Sequence, residues 1–295
     1  MRDRAICLVV SRVLVTGALG NVGREVARAC VLQGFVVRVA DRSIAALAKR
    51  FGEMETVAFD FLDRETWASA LADCQWLFLL RPPPLGDMKT TLDPFIDVAF
   101  AAGVEHIVFL SVAGAERMRW VPHHEVERHL RTTGRSWSIV RPGFFAQNLQ
   151  DAYRRDIIED ARLYVPAARG RVAFIDVRDV ADITARIFAD PQAFAAAELT
   201  LTGPAAMRFD EVATLLSTTL GREIRYEPAS ILGYLWHLRT RRALSWTQAI
   251  VQLVLHVGLR RGDAERVEPT VAAILGRPAR SVAEYVADAH AIWRT

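Results

Sequence analysis

Residues 13–24 read VLVTGALGNVGR, and this stretch decides the fold of the 295-residue chain. A short β-rich run ends at Thr16, and a turn with glycines at positions 17, 20 and 23 leads into a helix-like segment. In such a turn Gly17 allows the tight bend, Gly20 lets the main chain approach a pyrophosphate, and Gly23 lets helix and strand pack closely. The free amides of the helix start attract phosphate. The turn therefore predicts dinucleotide binding; a purely structural turn is the alternative.

Outward from this turn, strand-like and helix-like segments alternate to about residue 150, which is typical of a parallel sheet. The predicted strands are Val13–Val15, Phe35–Ala40, Val57–Phe59, Trp76–Leu80, His106–Val112 and Ser136–Val140. The predicted helices between them are Val22–Gln33, Ser43–Arg50, Arg64–Ala72, Pro94–Ala102 and His124–Arg131. We expect an α/β fold: a doubly wound parallel Rossmann sheet in residues 1–150, with helices on both faces. Residues 151–295 should form a smaller, mostly helical substrate-covering domain, parts of which pack back on the sheet, with short strands near Val172–Phe174 and Leu199–Leu201.

The composition of the chain argues against several classes of protein. The chain has 37 basic and 34 acidic residues, a net charge of +3, so it shows no excess that would indicate a nucleic-acid partner. Three distant cysteines, at positions 7, 30 and 74, give neither a disulfide framework nor a zinc spacing, and we expect no metal and a reducing cytoplasm. The apolar run Ala5–Val10 is short for a signal sequence. A small-molecule substrate is expected, while a protein partner and a homodimer stay open.

The second strand ends at residues that bear on the choice of coenzyme. Asp41 stands about 20 positions past the turn, where an acidic residue binds the ribose 2′-hydroxyl and favours NAD. Arg42 beside it can hold a 2′-phosphate and favours NADP. Alternatively, Asp41 or Ser43 caps the following helix. Asp60, after the third strand, lies where an adenine amino group can be recognised, or is a turn residue.

The remaining candidate coenzyme contacts lie in the turn and at the carboxyl ends of further strands, where ligands bind in open α/β sheets. Asn21 can tie the turn together through its side chain. The other candidates are Val22, Phe61, Leu80, Arg81, Pro142, Gly143 and Phe144.

Several stretches, taken in order, resemble the NmrA-like family of atypical short-chain dehydrogenase/reductases. Their order and spacing are more specific than any one of them, and the resemblance covers most of the chain from Arg12, more loosely over residues 231–267. The stretches are Val13–Arg24, Phe78–Pro83, Ala101–Ser111, Ile139–Phe145, Phe174–Val180, Leu201–Pro204 and Leu275–Ser281.

This resemblance implies a Rossmann fold and a bound NAD(H) or NADP(H). Some members of the family reduce small molecules such as quinones, dyes or cyclic iminium compounds. Others have lost turnover and act as redox-sensing regulators that bind a protein partner. Both an NAD(P)-dependent oxidoreductase and a non-catalytic NAD(P)-sensing regulator are therefore expected alternatives, and we favour the enzyme. The resemblance also implies that the loop at Pro142–Phe145 borders the nicotinamide.

The usual catalytic pair of short-chain dehydrogenases is missing. These enzymes pair a Tyr with a Lys four residues later, and no Y-x-x-x-K occurs anywhere in this chain. When the helix after the fifth strand is aligned through Glu127, the Lys position falls on His123, which can bind the ribose or act as an acid. His124 is a second candidate, and a solvated helix start is the alternative for both. Ser111 can bind a carbonyl or satisfy the strand end.

The missing pair restricts the acceptor. An iminium needs only hydride and a quinone can take its proton from His or water, whereas an alkoxide needs a positioned acid. We therefore expect a small, flat, electron-poor acceptor of quinone or iminium type. Phe144 and Phe145 suit an apolar wall for it, or are ordinary core.

The segment Ala243–Leu259 is strongly apolar and flanked by arginines. The segment has only 17 positions and contains polar residues, which argues against a membrane-spanning helix. We expect a buried or dimer-facing helix that covers the substrate cleft; an interfacial helix with weak membrane-surface contact is the alternative.

Overall fold

A computed structural model of the chain describes residues 11–294. Two features considered in the sequence, the apolar run Ala5–Val10 and Cys7, lie outside these residues. Cys30 and Cys74 are buried free thiols. Burial raises the pKa of Cys30 to about 12 and that of Cys74 to about 11, so both are inert structural residues.

Eleven strands occur in the described residues. They are β1 (Arg12–Thr16), β2 (Val36–Asp41), β3 (Glu55–Ala58), β4 (Trp76–Leu80), β5 (His106–Leu110), β6 (Ser136–Pro142), β7 (Arg162–Val165), β8 (Arg171–Val172), β9 (Ala197–Leu201), β10 (Met207–Arg208) and β11 (Arg225–Pro228).

Thirteen α-helices occur in the same residues, with short 3₁₀ helices at Arg64–Thr66 and His290–Trp293. The α-helices are α1 (Asn21–Leu32), α2 (Ile44–Phe51), α3 (Trp67–Leu71), α4 (Leu92–Ala101), α5 (Pro122–Thr132), α6 (Asn148–Asp151), α7 (Arg154–Glu159), α8 (Val177–Ala189), α9 (Phe209–Leu220), α10 (Ile231–Thr240), α11 (Trp246–Arg260), α12 (Thr270–Leu275) and α13 (Val282–Ala289).

Seven strands form the main sheet, in the order β3-β2-β1-β4-β5-β6-β9. The pairs from β3 to β6 are all parallel. This order reverses direction between β1 and β4, which is the arrangement of the Rossmann fold. The predicted doubly wound α/β fold is confirmed.

The apolar strands form because both faces of the sheet are covered. β5 is buried along its whole length, and Leu77, Phe78 and Leu79 of β4 are fully buried. Continuous apolar runs of this kind are the signature of a parallel sheet with helices on both faces. The sheet therefore carries its loops and candidate site residues on a rigid core.

Some predicted elements differ in detail from the structure. The segment expected to be one helix from residue 64 to 72 divides into a 3₁₀ turn and α3, because Asp63 caps the 3₁₀ turn by accepting a hydrogen bond from Glu65 N at 3.1 Å. The strand expected at Val57–Phe59 is β3, which begins two residues earlier and ends one residue earlier. β7, β10 and β11 were not predicted; each is two to four residues long and pairs with one other short strand.

The chain divides into two compact units. Unit 1 comprises the described residues up to Pro142 together with Val180–Thr200, and unit 2 comprises Gly143–Asp179 together with the described residues from Leu201. Unit 2 is built on the pairs β7–β11, which is parallel, and β8–β10, which is antiparallel. Its core contains large buried aromatic side chains, among them Tyr153, Phe174 and Phe209.

The apolar segment Ala243–Leu259 becomes α11 in unit 2, and it is not buried throughout. Ala249, His256 and Leu259 are buried, whereas Ile250, Val251, Val254 and Leu255 are exposed by 46% to 59%. The expectation of a buried or dimer-facing helix stays a prediction, because one side of α11 is buried and the other is exposed in the single chain. In the part of the chain that the structure describes, no helix is long and apolar enough to cross a membrane.

Candidate functional site

The turn after β1 is fixed by contacts to β4. The buried hydroxyl of Thr16 donates to Phe78 O at 3.0 Å and accepts from Leu80 N at 3.0 Å. Gly17 adopts φ +64°, a backbone conformation that residues with a side chain rarely adopt. A Cβ at Gly17 would also lie 3.0 Å from a methyl carbon of Leu80. The predicted residues Gly17 and Leu80 therefore lie together.

The third glycine of the turn has a packing role. A Cβ on Gly23 would lie 2.4 Å from the carbonyl oxygen of Gly17, so α1 approaches the turn more closely than any side chain permits. The amide of Gly20 donates to the same carbonyl at 3.0 Å. Gly20 is the N-cap of α1 and supplies no side-chain cap, and the first turn of α1 has no acidic residue. Half-buried Asn21 and buried Val22 open the helix. The start of α1 thus has no side-chain cap and no acidic residue in its first turn, and its partial positive charge suits a diphosphate.

At the end of β2, Asp41 and Arg42 are linked through the main chain. The amide of Arg42 donates to Asp41 Oδ1 at 2.8 Å. Ser43, not Asp41, caps α2: its hydroxyl accepts from Ala46 N at 3.3 Å. Asp41 is half-buried and Arg42 exposed. Neither side chain therefore caps α2. Asp41, which suits NAD, and Arg42, which suits NADP, both stay candidates for binding the coenzyme ribose.

Asp60 and Phe61 follow β3. Asp60 is built into a turn, where its Oδ1 accepts from Leu62 N at 3.0 Å and its carbonyl accepts from Trp67 Nε1 at 3.0 Å. Phe61 is buried against Phe59 and Phe95, with ring centroids 4.7 and 5.3 Å away. The side chain of Phe61 is therefore core, and it would reach a ligand through its main chain.

Arg81, directly after β4, contacts both the proline-rich loop and α5. Its Nη1 donates to the carbonyls of Pro82, Pro83 and Leu85 at 2.6 to 3.1 Å. Its Nε donates to His123 Nε2 at 3.3 Å. The structure thus brings two of the predicted site residues, Arg81 and His123, into contact at the carboxyl edge of the sheet.

This contact decides the state of the His123 ring. Burial, helped by the positive charge of Arg81, lowers the pKa of His123 to about 3, so the ring is neutral near pH 7. Because Nε2 accepts from Arg81, the single ring proton lies on Nδ1. Nδ1 is buried and has no hydrogen-bond partner among the described residues. His123 therefore presents an unsatisfied N–H donor, and its pKa lies below the near-neutral range that the sequence suggested, because both burial and the Arg81 charge disfavour the charged ring.

Ser111 belongs to a buried ionic network in unit 1. Its hydroxyl donates to Glu127 Oε1 at 2.6 Å. Glu127 is fully buried and also accepts from Arg141 at 2.8 and 2.6 Å and from Arg131 at 3.0 Å. Burial opposes ionisation of Glu127, but the hydrogen bonds from Arg141 and Ser111 outweigh it and hold its pKa below the ordinary value. The serine proton is thus directed at Glu127.

Arg141 was missed as a network residue in the sequence. It is 4% exposed on β6 and also contacts Glu198 of β9 at 2.6 Å. The sequence signal for it was a lone arginine in the apolar second half of β6, residues 139–142, because a buried charge requires a partner. His124 is held separately: its Nδ1 lies 2.9 Å from Ala115 O.

Pro142 ends β6 and the first segment of unit 1, and its carbonyl accepts from Ala113 N at 3.1 Å. Gly143 and Phe144 begin unit 2. Gly143 N donates to Leu201 O at 2.9 Å, and the ring of Phe144 packs edge-on against Phe174 and His256, with centroids 5.6 and 5.7 Å away. Phe144 is half-buried at the margin of the unit 2 core.

Comparison with known proteins places these features in context. The model of the NmrA-like family matches residues 10–248. The chain is 32% identical to the NAD(P)H azoreductase of Xenophilus azovorans over 295 aligned residues, which cover 95% of this chain and 98% of that protein.

Two solved structures show the same fold. The NADPH complex of the NADPH-dependent quinone oxidoreductase of Escherichia coli has a TM-score of 0.83 at 22% identity, covering 94% of this chain and 99% of that one. The NADP(H) complex of the triphenylmethane reductase of Citrobacter sp. has a TM-score of 0.83 at 19% identity, covering 95% and 100%.

Proposed function

This chain belongs to the NmrA-like family, and from that premise we propose that it is an NAD(P)H-dependent oxidoreductase of small, flat, electron-poor acceptors. The acceptor class is one with a quinone, azo or iminium group. A relative that matches nearly the whole chain is an NAD(P)H azoreductase, and its name describes a reductase of a conjugated, electron-poor bond.

The turn after β1 supports the coenzyme part of the proposal. Gly23 is pressed against Gly17, and the uncapped start of α1 offers main-chain amides to a diphosphate. Asp41 and Arg42 stand where a ribose 2′-substituent is distinguished, with a carboxylate that suits NAD and a guanidinium that suits NADP. The proposal therefore includes both coenzymes.

When bound, NAD(P)H supplies the hydride, so this chain has to orient the acceptor and stabilise its developing charge. His123 is suited to the second task, because its neutral ring keeps a buried Nδ1–H free to donate to an acceptor or ribose oxygen. Arg81 fixes that proton on Nδ1 and adds positive charge nearby. Such a preorganised donor stabilises negative charge without giving up its proton.

The observation that carries the acceptor class is the neutral state of His123. A plain ketone becomes an alkoxide on hydride transfer and needs an acid with a matched pKa, and a ring whose pKa is about 3 is not such an acid near pH 7. The chain also has no Y-x-x-x-K to replace it. A quinone becomes a quinol anion that water can protonate, and an iminium becomes a neutral amine, so neither requires that acid.

The test is a steady-state survey of NADH and NADPH oxidation with benzoquinones, naphthoquinones, azo dyes, cyclic iminium salts and, for contrast, aliphatic ketones. We expect turnover of at least one conjugated class and no measurable turnover of the ketones. Tight coenzyme binding by calorimetry, without consumption on any acceptor, would instead identify a coenzyme-sensing regulator. Turnover of ketones alone would contradict the assigned role of His123.

A further inference from the structure

Helices α10 and α11 of unit 2 carry an unusual amount of exposed apolar surface. They pack against each other and are joined by five residues. Two of the exposed side chains, Leu232 and Trp236, are 79% and 72% exposed. Eight large apolar residues of the pair are exposed: Ile231, Leu232, Trp236, Trp246, Ile250, Val251, Val254 and Leu255. We call these eight residues the apolar face.

The spacing on α11 shows that its exposed residues share one side. They follow Trp246 at intervals of four, five, eight and nine residues, which places them on one stripe of an α-helix. The other side of α11 is anchored in the core of unit 2, where His256 is buried and accepts a hydrogen bond from the Tyr153 hydroxyl. On α10, buried His237 contacts Asp156 at 3.1 Å. The apolar face is therefore held outward by a well-packed opposite side.

The charges around the apolar face are mostly positive, because the carboxylates beside it, Asp160, Asp263 and Glu265, are fewer than its arginines. Residues 231–262 contain five arginines, at positions 239, 241, 242, 260 and 261, and no Asp or Glu. Arg241 is paired with Asp160 of a neighbouring segment at 2.9 Å, and the guanidinium of Arg239 lies over the Trp246 ring, 4.6 Å from its centroid. Arg260 and Arg261 are exposed at the end of α11. The surface is thus apolar in its middle and basic at its margins.

We propose that the apolar face docks this protein on the surface of an anionic phospholipid bilayer. Apolar side chains of an amphipathic helix insert at the boundary of headgroups and acyl chains, and arginines beside them attract anionic headgroups. Tryptophan is favoured at that depth because its ring is apolar and its N–H polar. α11 has 15 residues and is too short to span a bilayer, so it lies in the plane of the surface.

The charge pattern favours a lipid surface over a second copy of the chain. A two-fold interface brings the same surface of both copies together. Such an interface would place two sets of these five arginines side by side, and the three carboxylates beside them, Asp160, Asp263 and Glu265, are too few to balance the charge. Like charges at an interface are unfavourable. An anionic bilayer instead supplies the missing opposite charge.

The experiment is co-sedimentation of the full chain with vesicles of phosphatidylcholine alone and of phosphatidylcholine with phosphatidylglycerol. We expect binding to the anionic vesicles, weakened by salt, and little binding to the neutral ones. The double variant Leu232→Gln/Leu255→Gln should weaken binding by at least about tenfold, because two exposed leucines no longer leave water on docking. Arg260→Gln/Arg261→Gln should weaken it on anionic vesicles and flatten the salt dependence.

Matched controls separate a docking surface from general stickiness. Leu32 of α1 is 78% exposed, like Leu232, and Leu32→Gln should bind as the unaltered chain does. Lys49→Gln/Arg50→Gln removes two exposed charges of α2 and should also have no effect.

Three results would overturn the proposal. These are no binding to anionic vesicles, equal binding to neutral and anionic vesicles, or a self-associated species in sedimentation velocity that Leu232→Gln/Leu255→Gln converts to monomer. The third would assign the apolar face to a second copy. None of these measurements depends on coenzyme oxidation, so the reductase assignment and the docking surface stand or fall separately.

Discussion

At the scale of single residues, the contact between Arg81 and His123 is the most informative feature of the site. It sets which ring nitrogen carries the proton, and a sequence cannot show this because the two residues are 42 positions apart. Histidine in a sequence indicates titration near neutrality. Here burial and a neighbouring cation reverse that expectation, and the residue becomes a neutral donor.

The first prediction concerns this contact. Arg81→Met should raise the pKa of His123 towards its ordinary value, because the cation contributes to lowering it while burial remains. The ring should no longer be confined to the Nδ1–H tautomer, and kcat on the preferred acceptor should fall by about tenfold or more, as when one preorganised donor is lost. Nitrogen-15 NMR of the imidazole, beside a pH–rate profile, measures both effects. An unchanged tautomer would show that Arg81 does not set it.

A second prediction tests the coenzyme turn. Gly20→Asp adds a carboxylate where the main chain meets the diphosphate, so coenzyme affinity should fall by at least about a hundredfold while the fold persists. Gly52→Asp is the matched control, because a Cβ there meets its nearest atom at an ordinary 3.4 Å and Gly52 lies at the end of α2. Calorimetry with NADH and NADPH is the measurement. Equal affinities for both variants would remove the turn from the site.

At the scale of elements, the Glu127–Arg141 ion pair ties α5 to β6, and Glu198 extends the tie to β9. The pair is buried, so its stabilising value depends on both partners being present. It explains why Ser111 at the end of β5 is held with its proton towards Glu127. The pair therefore fixes the position of α5, and His123 lies near the start of that helix.

The third prediction follows from that burial. Glu127→Gln should lower the free energy of unfolding by about 3 kcal/mol, the lower part of the range for breaking a buried pair, because Arg141 keeps Glu198. Urea denaturation gives the value. Arg128→Gln on the same helix breaks an exposed pair with Glu125 and should leave stability nearly unchanged. A loss no larger than that of the control would mean that water reaches Glu127.

Elements were predictable where a continuous apolar run or a cap marked them. β4 and β5 are continuous apolar runs, and α2 begins at the residue after the predicted cap Ser43. β7 and β11 were not predictable, because each is four residues long and gains stability by pairing with the other across more than 60 positions. The same holds for the candidate site. The glycine turn is local in sequence and could be predicted, whereas the Arg81–His123 and Glu127–Arg141 contacts depend on tertiary structure and could not.

At the scale of the whole molecule, three histidines whose pKa is lowered by burial, His106, His123 and His256, make the fold sensitive to acid. Burial lowers the pKa of His106 to about 4 and of His256 to about 4; burial and the charge of Arg81 lower that of His123 to about 3. In the unfolded chain each titrates near 6.5 and binds protons that the folded form rejects. Stability is therefore full above about pH 6.5 and is lost as pH falls from there towards 4.

The fourth prediction is a fall of about 5 °C or more in Tm between about pH 7 and about pH 5. The change should be reversible and should precede the protonation of the paired carboxylates. His256→Gln keeps an acceptor for the Tyr153 hydroxyl and removes one titrating ring, so its Tm should depend less steeply on pH. Scanning calorimetry across this range measures both. Parallel curves for the two proteins would show that His256 is not a source of the acid sensitivity.

The position of β9 at the edge of the main sheet has a consequence for biosynthesis. β9 is followed by residues of unit 2 and preceded by about fifty residues that separate it from its neighbour β6. When a nascent chain has left the ribosome as far as residue 142, it contains six strands of the main sheet, and β6 is then an edge strand. Arg141 still lacks its ion-pair partner Glu198 at that stage. The main sheet can be completed only after Ala197–Leu201 has been synthesised, so we expect β6 to be an unpaired edge strand until then.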